Sequence, residues 1–262
     1  MREACGGYGY MAENLLTSLK ADSDIFSTFE GDNVIMMQLA AKELMTGFAK
    51  EIGSFNPIEM VRFGLDNFSA QLRRRTAADT LIQNLLDTFT DSEETSLFDP
   101  GNQIRLLTER ENRLMVSLGR RLRVAKDMPV EEAAKVVDRA QDHLLEVAWA
   151  HVDRILLEAL LDAESKLDSV QARKVLEQVR DVYFLDLIMR NGSWYLEQNL
   201  LTDPRTKAAR AALNDLVDSL GPWSETLVDA FGVPREITPL KLMEDYDDMV
   251  PKADSAPADG QK

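Results

Sequence analysis

VEEAAKVVDRAQDHLLEVAWAHVDRILLEALLDAESKL, residues 130–167, places Val137, Leu144, Ala148, Val152, Ile155 and Ala159 along one stripe. Apolar residues three, four and seven positions apart share a helix face, whereas a half-buried strand alternates at every second residue. Neither Gly nor Pro interrupts the run after Pro129, so one long amphipathic helix is expected here.

The same period extends in both directions. Asp99-Pro100 reads as an N-cap with proline at the first helical position, opening a helix to about Lys126 that Asp127-Met128-Pro129 closes. Further upstream, a helix over about 64–89 turns Leu65, Phe68, Leu72, Leu81, Leu85 and Phe89 inward, and Asp91-Ser92-Glu93-Glu94 makes the turn after it. The first helix is expected to follow Gly31-Asp32-Asn33, where Val34, Met37, Leu39, Ala40, Ala41, Leu44, Met45 and Phe48 form a broad apolar face before Gly53. Downstream, Asp168-Ser169 caps a helix bearing Val175, Val179, Val182, Leu185, Leu187 and Ile188, expected to continue through Trp194-Tyr195-Leu196 despite Gly192. Thr202-Asp203-Pro204 opens another to about Leu220, Gly221-Pro222 breaks the chain, and a short helix holds Trp223, Leu227 and Phe231. Nothing alternates like a strand, so the fold class is all-α, built of helical bundles. From Met243 onward an acidic stretch without apolar period reads as a disordered tail.

The 262 residues carry 30 Lys+Arg against 45 Asp+Glu, a formal net charge of −15, with 45% hydrophobic residues. Such a balance describes a soluble folded chain that repels phosphate backbones and anionic lipid, so neither nucleic acid nor a membrane is an expected partner. The single cysteine, Cys5, excludes an intrachain disulfide and a thiolate zinc site. There is no apolar run long enough to span a membrane, no apolar signal core and no C-terminal Ser-Lys-Leu address, and the expected location is the cytoplasm.

Several motifs lose to plainer readings. Gly7-Tyr8-Gly9-Tyr10-Met11-Ala12 fits G-x-G-x-x-A, but no buried strand delivers its glycines to a helix. Asp22-Ser23-Asp24 with Glu30 fails as a calcium loop because Phe26 and Ser27 fill the places needing an oxygen ligand and glycine. His143 and His151 have no third ligand, so no metal site is expected and His151 borders the core. The basic run Arg110, Arg113, Arg120, Arg121, Arg123 and Lys126 faces ten acids in 131–168, which favours an intramolecular ion-pair network. Glu30-Gly31 stands apart: a carboxylate between Phe29 and a glycine, just ahead of an apolar helix, can sit partly desolvated with main chain open to a ligand.

Arg2-Glu3-Ala4-Cys5-Gly6-Gly7-Tyr8-Gly9-Tyr10, followed some twenty residues on by Thr28-Phe29-Glu30-Gly31-Asp32-Asn33, resembles the C-terminal half of acyl-CoA oxidases, relatives of the flavin acyl-CoA dehydrogenases. Asp181-Val182-Tyr183 through Trp194-Tyr195-Leu196-Glu197, and Leu227 through Pro234, are similar to later helices of the oxidases' extra C-terminal domain. The resemblance covers about 1–240, and its length favours the oxidase branch. It implies that Glu30 removes the α-proton of a fatty acyl-CoA while the β-hydride passes to flavin, giving the trans-2-enoyl-CoA of fatty-acid β-oxidation. It also implies that Gly31 lets the thioester lie against the main chain, and that Gly6, Gly7, Gly9 and Tyr10, with Asp32 and Asn33, approach FAD. In that family an N-terminal helical domain and a β-domain precede these motifs, so FAD binding and turnover are expected only with that missing part or a partner chain. Three segments are expected: 1–53, a remnant of the catalytic bundle; 54–240, the oxidase C-terminal helical domain; and 241–262, the tail. A homo-oligomer or a separately encoded N-terminal half is the expected partner. The alternative is a non-catalytic helical subunit or assembly module derived from the family.

Overall fold

A computed structural model of the chain describes residues 2–52, 96–234 and 237. The expected 64–89 helix, the turn at 91–94, the boundaries at 53 and 240 and the 241–262 tail lie outside the described residues. Among those described there is no strand, and the order is α1 (Leu16–Ile25), α2 (Asn33–Ile52), α3 (Pro100–Arg123), α4 (Val130–Asp138), α5 (Gln141–Ser165), α6 (Val170–Arg190), α7 (Gly192–Glu197), α8 (Asp203–Leu220) and α9 (Ser224–Asp229). Short 3₁₀ turns occupy Gly6–Tyr10, Ala12–Asn14, Val124–Asp127 and Gly221–Trp223. The chain forms two compact units, one of Met1–Asn33 with Glu225–Lys262 and one of Val34–Ser224.

Local chemistry places the main helices. The Asp99 carboxylate accepts from Asn102 N–H at 2.8 Å, satisfying one of the orphan donors of the first turn of α3, with Pro100 in its expected place. Ser169 caps α6 in the same way through Ala172 N–H at 3.3 Å.

Three expectations are corrected. The run 130–167 is two helices, because the chain turns at Arg139-Ala140; Ala140 is fully buried at φ −103°, ψ 3°, and the Arg139 carbonyl accepts from Arg121. The α6 helix ends at Arg190 rather than running on, since the Asn191 amide donates back to Leu187 O at 2.9 Å while its oxygen accepts from Arg110 at 2.9 Å. A helix also precedes Asn33: α1 buries no residue, so no apolar period announces it.

The second unit holds the core, in two clusters. Ile104, Leu106 and Leu107 of α3 meet Leu157 and Leu161 of α5, Phe184, Leu185, Leu187 and Ile188 of α6, Tyr195 and Ala209. Leu114, Met115 and Leu118 of α3 meet Ala140, Val147 and Ala150, with Leu44 and Met45 of α2 packed against them. Each of the larger side chains contributes about 1.5–3 kcal/mol by leaving water. The buried face of α5 is Val147, Ala148, Ala150, Arg154, Leu157, Glu158, Leu161 and Glu164; of the expected stripe Ala148 is buried, Leu144, Val152 and Ile155 are half-buried and Ala159 is exposed.

Candidate functional site

The residues singled out by motif lie in two turns of the first unit. The 3₁₀ turn Gly6–Tyr10 carries Gly6, Gly7, Gly9 and Tyr10. Gly6 has φ +55°, a conformation that L side chains adopt rarely. Gly9 is buried, and a Cβ there would stand 1.9 Å from the Arg2 carbonyl oxygen, so only glycine fits. Gly7 has neither constraint: a Cβ would meet nothing within 4 Å. Buried Asn14 ties the turn by donating from Nδ2 to Tyr8 O at 2.8 Å, and the Arg2 guanidinium lies 4.8 Å from the centroid of the Tyr10 ring.

The second turn carries Glu30, Gly31, Asp32 and Asn33 into α2. It is closed by Phe29 N–H to Ile25 O at 2.8 Å, Gly31 N–H to Thr28 O at 3.2 Å and Asn33 N–H to Ser27 O at 2.9 Å. Gly31 adopts φ +119°. Glu30, Gly31, Asp32 and Asn33 are all exposed, and the flanking Phe26 and Phe29 are 71% and 74% exposed. Glu30 is thus an accessible carboxylate with an uncovered aromatic beside it, in place of the partly desolvated one expected.

Motif reading missed two buried charge networks in the second unit. In the first, Glu111 of α3 receives His151 Nδ1 at 2.8 Å and the Arg154 guanidinium, and Arg154 also donates to Glu158. Burial alone would push the Glu111 carboxyl up, but Arg154 and His151 outweigh it and hold it below the usual carboxylate range. Burial would likewise lower Arg154, and Glu111 and Glu158 reverse that. In the second, Arg180 donates to Glu164 at 2.6 Å and Asp181 at 2.9 Å, and Gln103 donates to Asp181 at 2.7 Å. Glu164 is pushed up to about 7, first by burial and opposed by Arg180, with Glu177 and Asp181 adding to the rise. The spacing of His151, Arg154 and Glu158 on one face was the available signal. Of the basic run, Arg110 does reach acids of the 131–168 segment, Glu146 at 3.5 Å and Asp153 at 3.6 Å, whereas Arg113 pairs with Glu109 at 3.0 Å.

Comparison with known proteins fits this geometry. Residues 1–45 match the family model described as acyl-CoA oxidase, C-alpha1 domain, and residues 99–237 match that described as acyl-CoA oxidase. Acyl-coenzyme A oxidase 2, peroxisomal, of Arabidopsis thaliana is 28% identical over 246 residues, covering 93% of this chain and 34% of the relative. An acyl-CoA oxidase 3 structure from Yarrowia lipolytica aligns with a TM-score of 0.73 at 16% identity, covering 99% of this chain and 36% of that one. Acyl-CoA oxidase-1 of Caenorhabditis elegans, solved in complex with FAD and ATP, gives 0.71 at 15% identity over 99% of this chain and 38% of that one. At these identities the solved structures show the fold alone: about a third of each superposes on this helical chain. The chain spans about a third of the length of the curated relatives it matches. The expected cytoplasmic location is overturned, because the Arabidopsis relative, like oxidases of mouse and koala, is named as peroxisomal; a missing Ser-Lys-Leu ending was a poor guide. With one model matching more than half of its length, the chain belongs to the acyl-CoA oxidase family.

Proposed function

We propose that this chain is the C-terminal helical portion of an FAD-dependent acyl-CoA oxidase, with Glu30 as the base that removes the α-proton of a fatty acyl-CoA. The observation that carries the reading is the order of two motifs, Gly6-Gly7-Tyr8-Gly9-Tyr10 and then Phe29-Glu30-Gly31-Asp32-Asn33, within the residues matched by the C-alpha1 model. The α-C–H of a thioester is a weak acid, and a carboxylate in water is poorly matched to it. Contact of the acyl chain with Phe29 and Phe26 would strip water from Glu30 and raise its basicity toward the task. Gly31, with its positive φ and no side chain, supports a thioester lying against the main chain. Gly6 and Gly7, where a Cβ would meet open space, leave main chain free for close approach by FAD, with Gly9, Tyr10, Asp32 and Asn33 assigned beside it. FAD, when bound, supplies the acceptor for the β-hydride, and in the oxidase branch O₂ is then reduced to H₂O₂. The nematode oxidase bound to FAD supports the cofactor. By this reading 1–53 belongs to the catalytic bundle, 54–240 to the oxidase C-terminal domain and 241–262 to a tail.

The partner is a second copy or the N-terminal domains of such an oxidase. The exposed Val34, Ile35, Met36 and Leu39 at the start of α2 support an apolar contact of that kind. In an enzyme that contains this chain, Glu30→Gln should lower acyl-CoA turnover by about 10²–10⁴ while FAD content is unchanged; near-normal turnover would overturn the assignment. The exposure of Glu30 favours a second reading, a non-catalytic helical subunit. A purified complex that stays colourless and turns over no acyl-CoA would establish that one.

A further inference from the structure

We propose that the outer face of α5 is the docking surface for residues 64–89 of the same chain. Leu145, Trp149, Val152, Leu156, Ala159 and Ala163 follow one another at alternating four- and three-residue steps, the spacing of a coiled-coil seam, and all are apolar. Trp149 and Leu156 are each 47% exposed, Ala159 and Ala163 are exposed, and Leu145 and Val152 are half-buried. The stripe runs for roughly 27 Å along the helix axis. It lies opposite the side on which Val147, Arg154, Leu157 and Leu161 are buried. α5 is thus apolar on two opposite sides, and only one of them is packed into the core clusters. A helix that is apolar all round belongs in the interior of a protein, so the outer stripe calls for a cover.

The two ends of the intervening chain point to the occupant. The chain leaves the described residues after α2, which is set against the N-terminal half of α5: Gln38 donates to Gln141 at 3.0 Å, and Leu44 and Met45 pack on the cluster that holds Ala140, Val147 and Ala150. It re-enters at Ser96, where Leu97 packs on the cluster that holds Leu157 and Leu161, and Phe98 and Pro100 line a recess with Leu161 and Glu164. Residues 53–95 therefore connect the two ends of α5, and Gln141 and Leu161 are roughly 30 Å apart along its axis. A helix over 64–89 spans roughly 39 Å, enough to run the length of the stripe. Its sequence carries a matching seam: Leu65, Phe68, Leu72, Ile82, Leu86 and Phe89 fall in one heptad frame, interrupted only by Arg75 and Asp79, which stand four apart with opposite charge. The segment holds three arginines and three aspartates and so brings no net charge, whereas a second copy brings −15 against −15. Being tethered, it also acts at an effective concentration on the order of millimolar.

The test reads no turnover and is independent of the acyl-CoA reading. In the 262-residue chain carrying Cys5→Ser, a thiol introduced by Leu156→Cys should react with a maleimide about tenfold or more slowly than one introduced by Glu131→Cys at an exposed position, at a rate that does not change with protein concentration. Adding Phe68→Asp and Leu86→Asp should restore fast labelling at position 156. A thiol introduced by Ala150→Cys, in the core, should stay protected in the same background. Labelling at position 156 as fast as at 131 would overturn the proposal, and so would protection that survives the two aspartates. Protection that grows with protein concentration would give the face to a second copy instead. Release of the thiols at 150 and 156 together would also overturn it, because the segment would then be part of the core and not docked on it.

Discussion

The first unit and the α3–α8 bundle use charge in opposite ways. Around Glu30 the carboxylate, two phenylalanines and a positive-φ glycine are exposed on a turn held by backbone hydrogen bonds and by the Ser27 and Thr28 hydroxyls, which donate to Asp24 O and Ile25 O. Between α3 and α5, Glu111, Arg154 and Glu158 are each less than a tenth exposed and are closed on one another. A group that is to meet a substrate must keep its valences open, and a group that is to hold two helices in register must have them filled. The turn is therefore expected to be rich in function and poor in stability, and the bundle the reverse.

That contrast breaks first at Glu30 itself. The turnover loss of Glu30→Gln, about 10²–10⁴, should come with a change in unfolding free energy below about 0.5 kcal/mol, as at other exposed positions; a denaturation midpoint that fell sharply would place Glu30 among the structural groups. Arg154→Met is the mirror case. It leaves two buried carboxylates facing each other, and urea titration should show a loss of about 3–5 kcal/mol. A cost near zero would mean that water reaches the network.

Glu164 sharpens the comparison through pH. Its folded pKa of about 7 lies above its ordinary value of 4.5, so the native state holds the proton more tightly than the unfolded one between those limits. Stability should therefore fall as pH rises from 4.5 through 7, by about 1–3 kcal/mol in all, and then level off. Melting curves of the Glu164→Gln chain across that window should lack this component, and an unchanged slope would remove Glu164 as its source. The smallest effect is expected at Asp99, where Asp99→Ala removes the acceptor for Asn102 N–H and should cost about 1 kcal/mol.

The helical class, the caps at Asp99 and Ser169 and the breaks at Pro129 and Gly221 were legible because each has a local chemical cause. The turn at Arg139-Ala140 was not, since neither residue forbids helix and the cause is tertiary: Ala140 buries itself and Arg121 holds the Arg139 carbonyl. The buried face of α5 was misread in part for a related reason. Apolar periodicity assigns Arg154, Glu158 and Glu164 to solvent, and only the complementary charges at Glu111 and Arg180, distant in sequence, let them go inside. At the candidate site the proposal for the glycines and Glu30 rests on the spacing of two motifs. The 1.9 Å approach that demands glycine at position 9 comes from a backbone carbonyl, which no sequence pattern encodes.

The Glu111–Arg154–Glu158 chain also has a thermal consequence. Hydration of charged groups carries a strongly negative entropy, so the penalty for withdrawing them from water shrinks on warming, while the gain from burying apolar surface levels off. The share of α3–α5 cohesion carried by this network therefore grows with temperature. A core repacked with apolar residues in its place would compare best in the cold and lose that advantage as heat approaches the midpoint of unfolding.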